Sequence, residues 1–174
     1  TFSFDTETLI QLVGVNPYSM AAGDLDKDGK IDLAVVNYSS NSTSILRNIS
    51  SLGAIRFVTA LTTNAVLSNP LGIALGDFDG DSNPDIAVSD QSNQRVAFFL
   101  NTNSSTGTIS FPTVPSLTFA TGGNPYDNLS IADFDGDGKI DLAVANQNAV
   151  NTLLVLKNTS SIGNLSFLSR VTYA

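Results

Sequence analysis

The chain contains no cysteine, no histidine and no tryptophan. Lack of cysteine excludes a disulfide scaffold and leaves the compartment open on that ground. Lack of both histidine and cysteine removes the soft and borderline ligands that transition metals prefer, and makes a nucleophile–base pair hard to assemble. Positive charge is scarce too: 8 Lys and Arg stand against 16 Asp and Glu, for a formal net charge of −8. Such a chain is a poor nucleic-acid binder. No apolar run is long enough to cross a bilayer, and no segment sustains a helical period. The chain opens on Thr1 without a secretory leader, so a processed or excised segment is expected. At 42% hydrophobic and 14% charged, its 174 residues can nevertheless bury a core.

What the chain does have is an acidic nonamer that runs into an apolar strand, written three times: DLDKDGKIDLAV from Asp24, DFDGDSNPDIAV from Asp77 and DFDGDGKIDLAV from Asp133. The copies lie 53 and then 56 residues apart, the mark of a repeated structural unit. Twelve of the 16 acids occupy positions one, three, five and nine of these nonamers; only Asp5, Glu7, Asp90 and Asp127 lie elsewhere. Four carboxylates in nine residues repel one another unless a cation sits among them. Three divalent ions would bring the net charge from −8 to −2.

Carboxylate and carbonyl oxygens are hard ligands and favour Ca2+. The spacing wraps the chain around one ion per copy. In the first copy the ligands expected are Asp24, Asp26, Asp28, the carbonyl of Lys30, and Asp32. In the second they are Asp77, Asp79, Asp81, the carbonyl of Asn83, and Asp85; in the third, Asp133, Asp135, Asp137, the carbonyl of Lys139, and Asp141. Gly29 and Gly138 at position six permit the positive φ that turns the next carbonyl inward. The second copy has Ser82 there, followed by Asn83-Pro84, so strain is expected to make the Asp77 site the weakest. An EF-hand loop opens the same way but needs a Glu at position twelve and flanking helices; position twelve here is Val35, Val88 or Val144, inside β-branched runs. The remaining rival is an acidic turn without an ion, against which three copies in phase weigh.

Other residues keep the same phase. Asn16-Pro17, Asn69-Pro70 and Asn124-Pro125 precede the nonamers, and Asn48, Asn101 and Asn158 follow them, then Gly53, Gly107 and Gly163. Phe57, Phe111 and Phe167 come four residues after those glycines and mark where the outermost strand of each unit is expected to begin, the last covering 165–173. One unit reads as four short strands, such as 18–23, 31–37, 43–48 and 55–62, separated by Gly, Asn, Pro and Ser turns. Four antiparallel strands per unit is a propeller blade. The expected fold is all-β: three four-stranded antiparallel blades plus one extra outer strand, part of a larger or assembled propeller. The divisions expected are an orphan outer strand and turn at 1–17, the strand itself over 1–11, then blades at 18–68, 69–122 and 123–174.

The short strand, the D-x-D-x-D-G-x-x-D loop and the D-L-A-V run together resemble the FG-GAP (VCBS-type) repeat, the blade of the integrin α-subunit β-propeller, over essentially the whole chain. The second copy departs at Ser82, and Asn-Pro stands where a Phe-Gly and Gly-Ala-Pro pairing is usual. The resemblance implies three Ca2+ sites in the loops between the first and second strands of each blade. It further implies a repeat module of a secreted or cell-surface protein that mediates adhesion or binds a protein or glycan. Extracellular calcium suits such loops, so the expected location is outside the cell or in the periplasm.

The expected ligand face lies opposite the calcium loops, around Asn37-Tyr38, Asp90-Gln91 and Asn146-Gln147 and the turns carrying Tyr18, Leu71 and Tyr126. Further partners are the remaining blades of a longer chain or a second copy, because three blades do not close a ring; nucleic acid and membrane insertion are not expected. No enzyme is expected either. The alternatives are the propeller portion of a calcium-dependent carbohydrate lyase or dehydratase, and a purely structural repeat of a surface stalk. Seven Asn-x-Ser/Thr sequons, at Asn37, Asn41, Asn48, Asn103, Asn128, Asn158 and Asn164, read first as turn chemistry.

Overall fold

The structure, a computed structural model, describes residues 10, 14–63, 66–147, 152–168 and 171–173. Every regular element among them is a strand. Twelve strands form three antiparallel four-stranded sheets, each in simple sequential order. The first sheet holds β1 (Pro17–Gly23), β2 (Asp32–Asn37), β3 (Ser42–Asn48) and β4 (Phe57–Thr63). The second holds β5 (Pro70–Gly76), β6 (Asp85–Asp90), β7 (Arg95–Phe99) and β8 (Leu117–Ala120). The third holds β9 (Asn124–Ala132), β10 (Asp141–Gln147), β11 (Leu153–Leu156) and β12 (Val171–Tyr173). These are propeller blades. Strands β1, β5 and β9 lie side by side, which places the first strand of each blade innermost.

Alternation along the strands decides which face meets which neighbour. Ala34, Val36 and Ile45 of the first blade pack with Ile73, Ile86, Val88 and Phe99 of the second. The opposite face of the second blade, Ala87, Val96 and Phe98, packs on Leu142, Val144, Leu154 and Leu156 of the third. Flanked on both sides, β6 is buried at all six positions, which is why its sequence lacks polar alternation. Each fully buried Leu, Ile or Phe contributes roughly 1.5–3 kcal/mol, so the blades hold one another as much as themselves.

The registers are equivalent: Leu33 opposes Leu46, Ile86 opposes Phe99, and Leu142 opposes Leu156. In each blade the pairing of first and second strands slips beside the proline of the Asn-Pro turn. Proline has no N–H to give the ladder, so the irregularity falls there.

The outer strands depart from the expected phase. In the first blade β4 does begin at Phe57. In the second, Phe111 is buried in the core outside any strand, and the outer strand waits until Leu117, after Pro112 and Pro115 have interrupted pairing. In the third, Phe167 makes only an isolated bridge to Asn158, and β12 covers Val171–Tyr173 rather than 165–173. The orphan outer strand expected at 1–11 falls, apart from residue 10, outside the described residues.

Candidate metal centres

Each acidic nonamer forms the connection between the first and second strands of its blade. The loop turns through left-handed backbone twice. Position six is left-handed as expected, at Gly29 (φ 84°), Ser82 (φ 71°) and Gly138 (φ 85°). Position four is left-handed as well, at Lys27 (φ 57°), Gly80 (φ 75°) and Gly136 (φ 80°). That second turn was missed from sequence, although two glycines there signalled it.

The aspartate at position nine fixes the loop to its blade. In the first copy Asp32 accepts the Leu25 N–H through Oδ2 (2.9 Å) and the Asn48 N–H through Oδ1 (2.8 Å). Asp85 takes the N–H groups of Phe78 (2.9 Å) and Asn101 (2.8 Å), and Asp141 those of Phe134 (3.0 Å) and Asn158 (2.8 Å). The in-phase asparagines therefore have a role: each also donates its side-chain amide to the carbonyl before that aspartate, on Ile31, Pro84 or Ile140. The aspartate at position one accepts the N–H of position six, 2.9 Å in the first two copies and 2.8 Å in the third.

Carboxylate oxygens from positions one, three and nine converge in every copy. Asp24, Asp26 and Asp32 bring theirs within 4.8 Å of one another, as do Asp77, Asp79 and Asp85, and Asp133, Asp135 and Asp141. The position-five carboxylates, Asp28, Asp81 and Asp137, lie outside these groups. The Oδ1 of each accepts the N–H of position seven, Lys30, Asn83 or Lys139, at 2.9, 2.7 and 3.0 Å.

A basic residue closes two of the three loops. Arg47 Nε bonds Asp26 and its Nη2 bonds Asp28 at 3.1 Å; Lys157 bonds Asp135 and, at 2.9 Å, Asp137. Both precede the in-phase asparagine, where the second copy has Leu100. Among the described residues no Lys or Arg pairs with Asp77, Asp79, Asp81 or Asp85. In that loop Asp77 Oδ1 is buried without a hydrogen-bond partner. A buried anionic oxygen so left is costly unless a cation meets it.

Titration follows the same division. Burial pushes Asp85 up to about 7 against the help of its two backbone N–H donors, and burial also raises Asp79 and Asp32. For Asp28, burial acts upward but is outweighed by the Lys30 N–H and the Lys30 and Arg47 charges, and the net shift is downward. The Lys157 hydrogen bond lowers Asp137. An all-oxygen set of converging carboxylates, one with an orphaned buried oxygen, fits a hard divalent cation.

The opposite face is less as expected. Asn37 and Asp90 are fully buried and Asn146 nearly so. Asn37 donates to Ser42 and Ser44, Asp90 accepts from Arg95 and Asn93, and Asn146 donates to the Thr121 carbonyl. These side chains build the turns and are not open to a ligand. Leu71 is also buried. What remains open is the exposed Gln147, the half-buried Gln91 and an aromatic group: the Tyr18 and Tyr38 ring centroids lie 6.0 Å apart, and Tyr18 and Tyr126 are exposed. The Tyr18 phenol is pushed up, first by neighbouring Tyr126 and then by burial and Asp127.

Compared with known families, residues 24–88 and 77–144 each match the FG-GAP-like repeat. No curated protein matches the chain.

Proposed function

The chain belongs to the FG-GAP-like repeat family, and we propose that it is a calcium-loaded propeller module that binds rather than catalyses. The observation behind this reading is the threefold convergence of carboxylates at positions one, three and nine. Asp28, Asp81 and Asp137 and the carbonyls of Lys30, Asn83 and Lys139 would complete the three ligand sets. Bound Ca2+ would offset the carboxylate charge that the lysines and arginine at these loops leave unbalanced, and so hold strand pairs together. Loops of this kind suit millimolar calcium, which favours a module outside the cell, on a surface or secreted.

Its ligand face is the tyrosine cluster of Tyr18, Tyr38 and Tyr126, on the side away from the acidic loops. Exposed phenol rings with hydroxyls at their tips suit the apolar faces and hydroxyl groups of a sugar, and a glycan is the ligand class proposed. A glycan array probed with calcium-loaded protein tests this. Binding that falls at least tenfold on Tyr18→Ala supports the reading; an array with no calcium-dependent signal contradicts it.

A further inference from the structure

The first residue after each Asn-Pro turn takes the same place in its blade: Tyr18, Leu71 and Tyr126 follow Pro17, Pro70 and Pro125. Leu71 is buried, while the tyrosines of the two flanking blades stay exposed. Tyr38, in the turn after β2, brings a third ring, its centroid 6.0 Å from that of Tyr18 and its plane tilted by 35°. The position after the tyrosine differs from blade to blade: Ser19, Gly72 and Asp127. Because Gly72 has no side chain, β9 comes so close that a Cβ there would lie 2.2 Å from the Asp127 carbonyl oxygen. Tyr126 and Asp127 are drawn in beside Tyr18, whose phenol is pushed up first by Tyr126, and by burial and Asp127.

Asp127 differs from every other described acid. Twelve aspartates belong to the metal loops, and Asp90 is paired with Arg95. Among the described residues no Lys or Arg pairs with Asp127, and no hydrogen bond holds its half-buried carboxylate. Aromatic faces carry the negative lobe of their quadrupoles, and a carboxylate beside them adds a full negative charge. A neutral sugar hydroxyl could bond that carboxylate but would leave its charge unbalanced. An ammonium group bonds it, neutralises it and rests against the rings.

We propose that Tyr18, Tyr38, Tyr126 and Asp127 form a cation-selective subsite, and that the glycan it takes carries a free amine, as a glucosamine residue does. The inference rests on the glycan reading above and adds to it the charge of the ligand. The tyrosines receive the ammonium and the sugar ring; Asp127 decides that the sugar is basic.

Calorimetric titration of the calcium-loaded chain with a glucosamine tetramer and with its N-acetylated counterpart, below the pKa of the sugar amine, tests it. The free-amine tetramer is expected to bind about tenfold more tightly, and Asp127→Asn to erase that difference. Circular dichroism checks that the variant keeps the parent fold. Its acidic loops are untouched, so a preference that survives Asp127→Asn comes from those loops and overturns the proposal. Equal affinity for the two tetramers, or a loss on Asp127→Asn shared equally by both, overturns it as well and leaves a glycan site with a hydroxyl-binding aspartate. If neither tetramer binds while the array shows other glycans bound, the amine falls and the glycan reading stands; with a silent array both fall. Binding of a trimethyl-lysine peptide in that last case would assign the tyrosine cage to a protein partner instead.

Discussion

The side-chain amide of Asn101 donates to the backbone carbonyl of Leu25, 2.9 Å away and 76 residues earlier in the chain. Blade and metal loop are thereby tied: the group that receives blade two belongs to the loop of blade one. The N–H of Gly107 adds a second tie, to the Asp26 carbonyl at 2.9 Å.

Replacing Asn101 by Ala should therefore cost more than a surface asparagine would. It removes the shorter of two bonds to the buried Leu25 carbonyl, which keeps Asn103 Nδ2 at 3.4 Å, and the bond to the part-buried Pro84 carbonyl, at about 1–3 kcal/mol each in the worst case. A drop of about 2 kcal/mol in urea unfolding is expected, with Asn158→Ala behaving alike and Asn48→Ala, which lacks the cross-blade bond, losing less. Equal losses at all three would contradict the assigned role.

The three sites should differ in calcium affinity, in an order opposite to that read from Ser82. The left-handed Ser82, at φ 71°, costs on the order of 1 kcal/mol, about fivefold in affinity. Arg47 and Lys157, by contrast, hold carboxylates of the first and third loops and compete with an incoming cation. The Asp77 loop is expected to bind tightest. Arg47→Met should tighten the Asp24 site about tenfold, and Leu100→Arg should weaken the Asp77 site, both read by calorimetric titration. No change on Arg47→Met would show that the guanidinium is not a competitor.

At Gly72 two blades approach closely. A Cβ there would lie 2.2 Å from the Asp127 carbonyl oxygen, a backbone atom that cannot swing aside. Gly72→Ala should destabilise by about 3 kcal/mol, roughly 6–12 °C in melting temperature. Gly23→Ala, whose Cβ would meet only the end of the Leu75 side chain at 3.2 Å, should be tolerated far better.

Acid should strengthen the metal-stripped fold before it weakens it. Asp85 titrates near 7 in the fold, and burial raises Asp79 and Asp32 too, so between the ordinary carboxylate range near 4 and pH 7 the native state binds more protons than the unfolded chain. Stability then falls as pH rises through that window. Asp28 and Asp137, held low, lose their contribution only below it. Melting temperatures of chelator-treated protein should decline from pH 5 to pH 7, and Asp85→Asn should flatten the decline. A rise over that interval would contradict the burial effect.

Much of this was legible in the chain because each loop is local. Aspartates at positions one, three and nine are close in sequence, and the turns between them follow from spacing and glycine. Strand pairs joined by those loops were equally readable from their Val, Ile and Leu runs. What escaped depends on distant residues. Arg47 reaches back 21 residues to Asp26, and Asn101 reaches 76 to Leu25; only the shared phase hinted at either. Asn37, Asp90 and Asn146 looked like surface amides and acids, yet packing buries them inside the turns they cap. The outer strand of blade two was misplaced because Pro112 and Pro115 outweigh the phase set by Phe111.

The central claim is that three acidic loops take up calcium as part of the fold. Thermal melts of the 174-residue chain in excess EDTA and in millimolar calcium test it most directly, with calorimetric titration to count sites. Each site held at ten times its dissociation constant adds about 1.4 kcal/mol. A rise of roughly 8–16 °C in melting temperature and a stoichiometry of three ions per chain are predicted from the three carboxylate groups. Superimposable melts in EDTA and calcium, with no heat of binding, would contradict it.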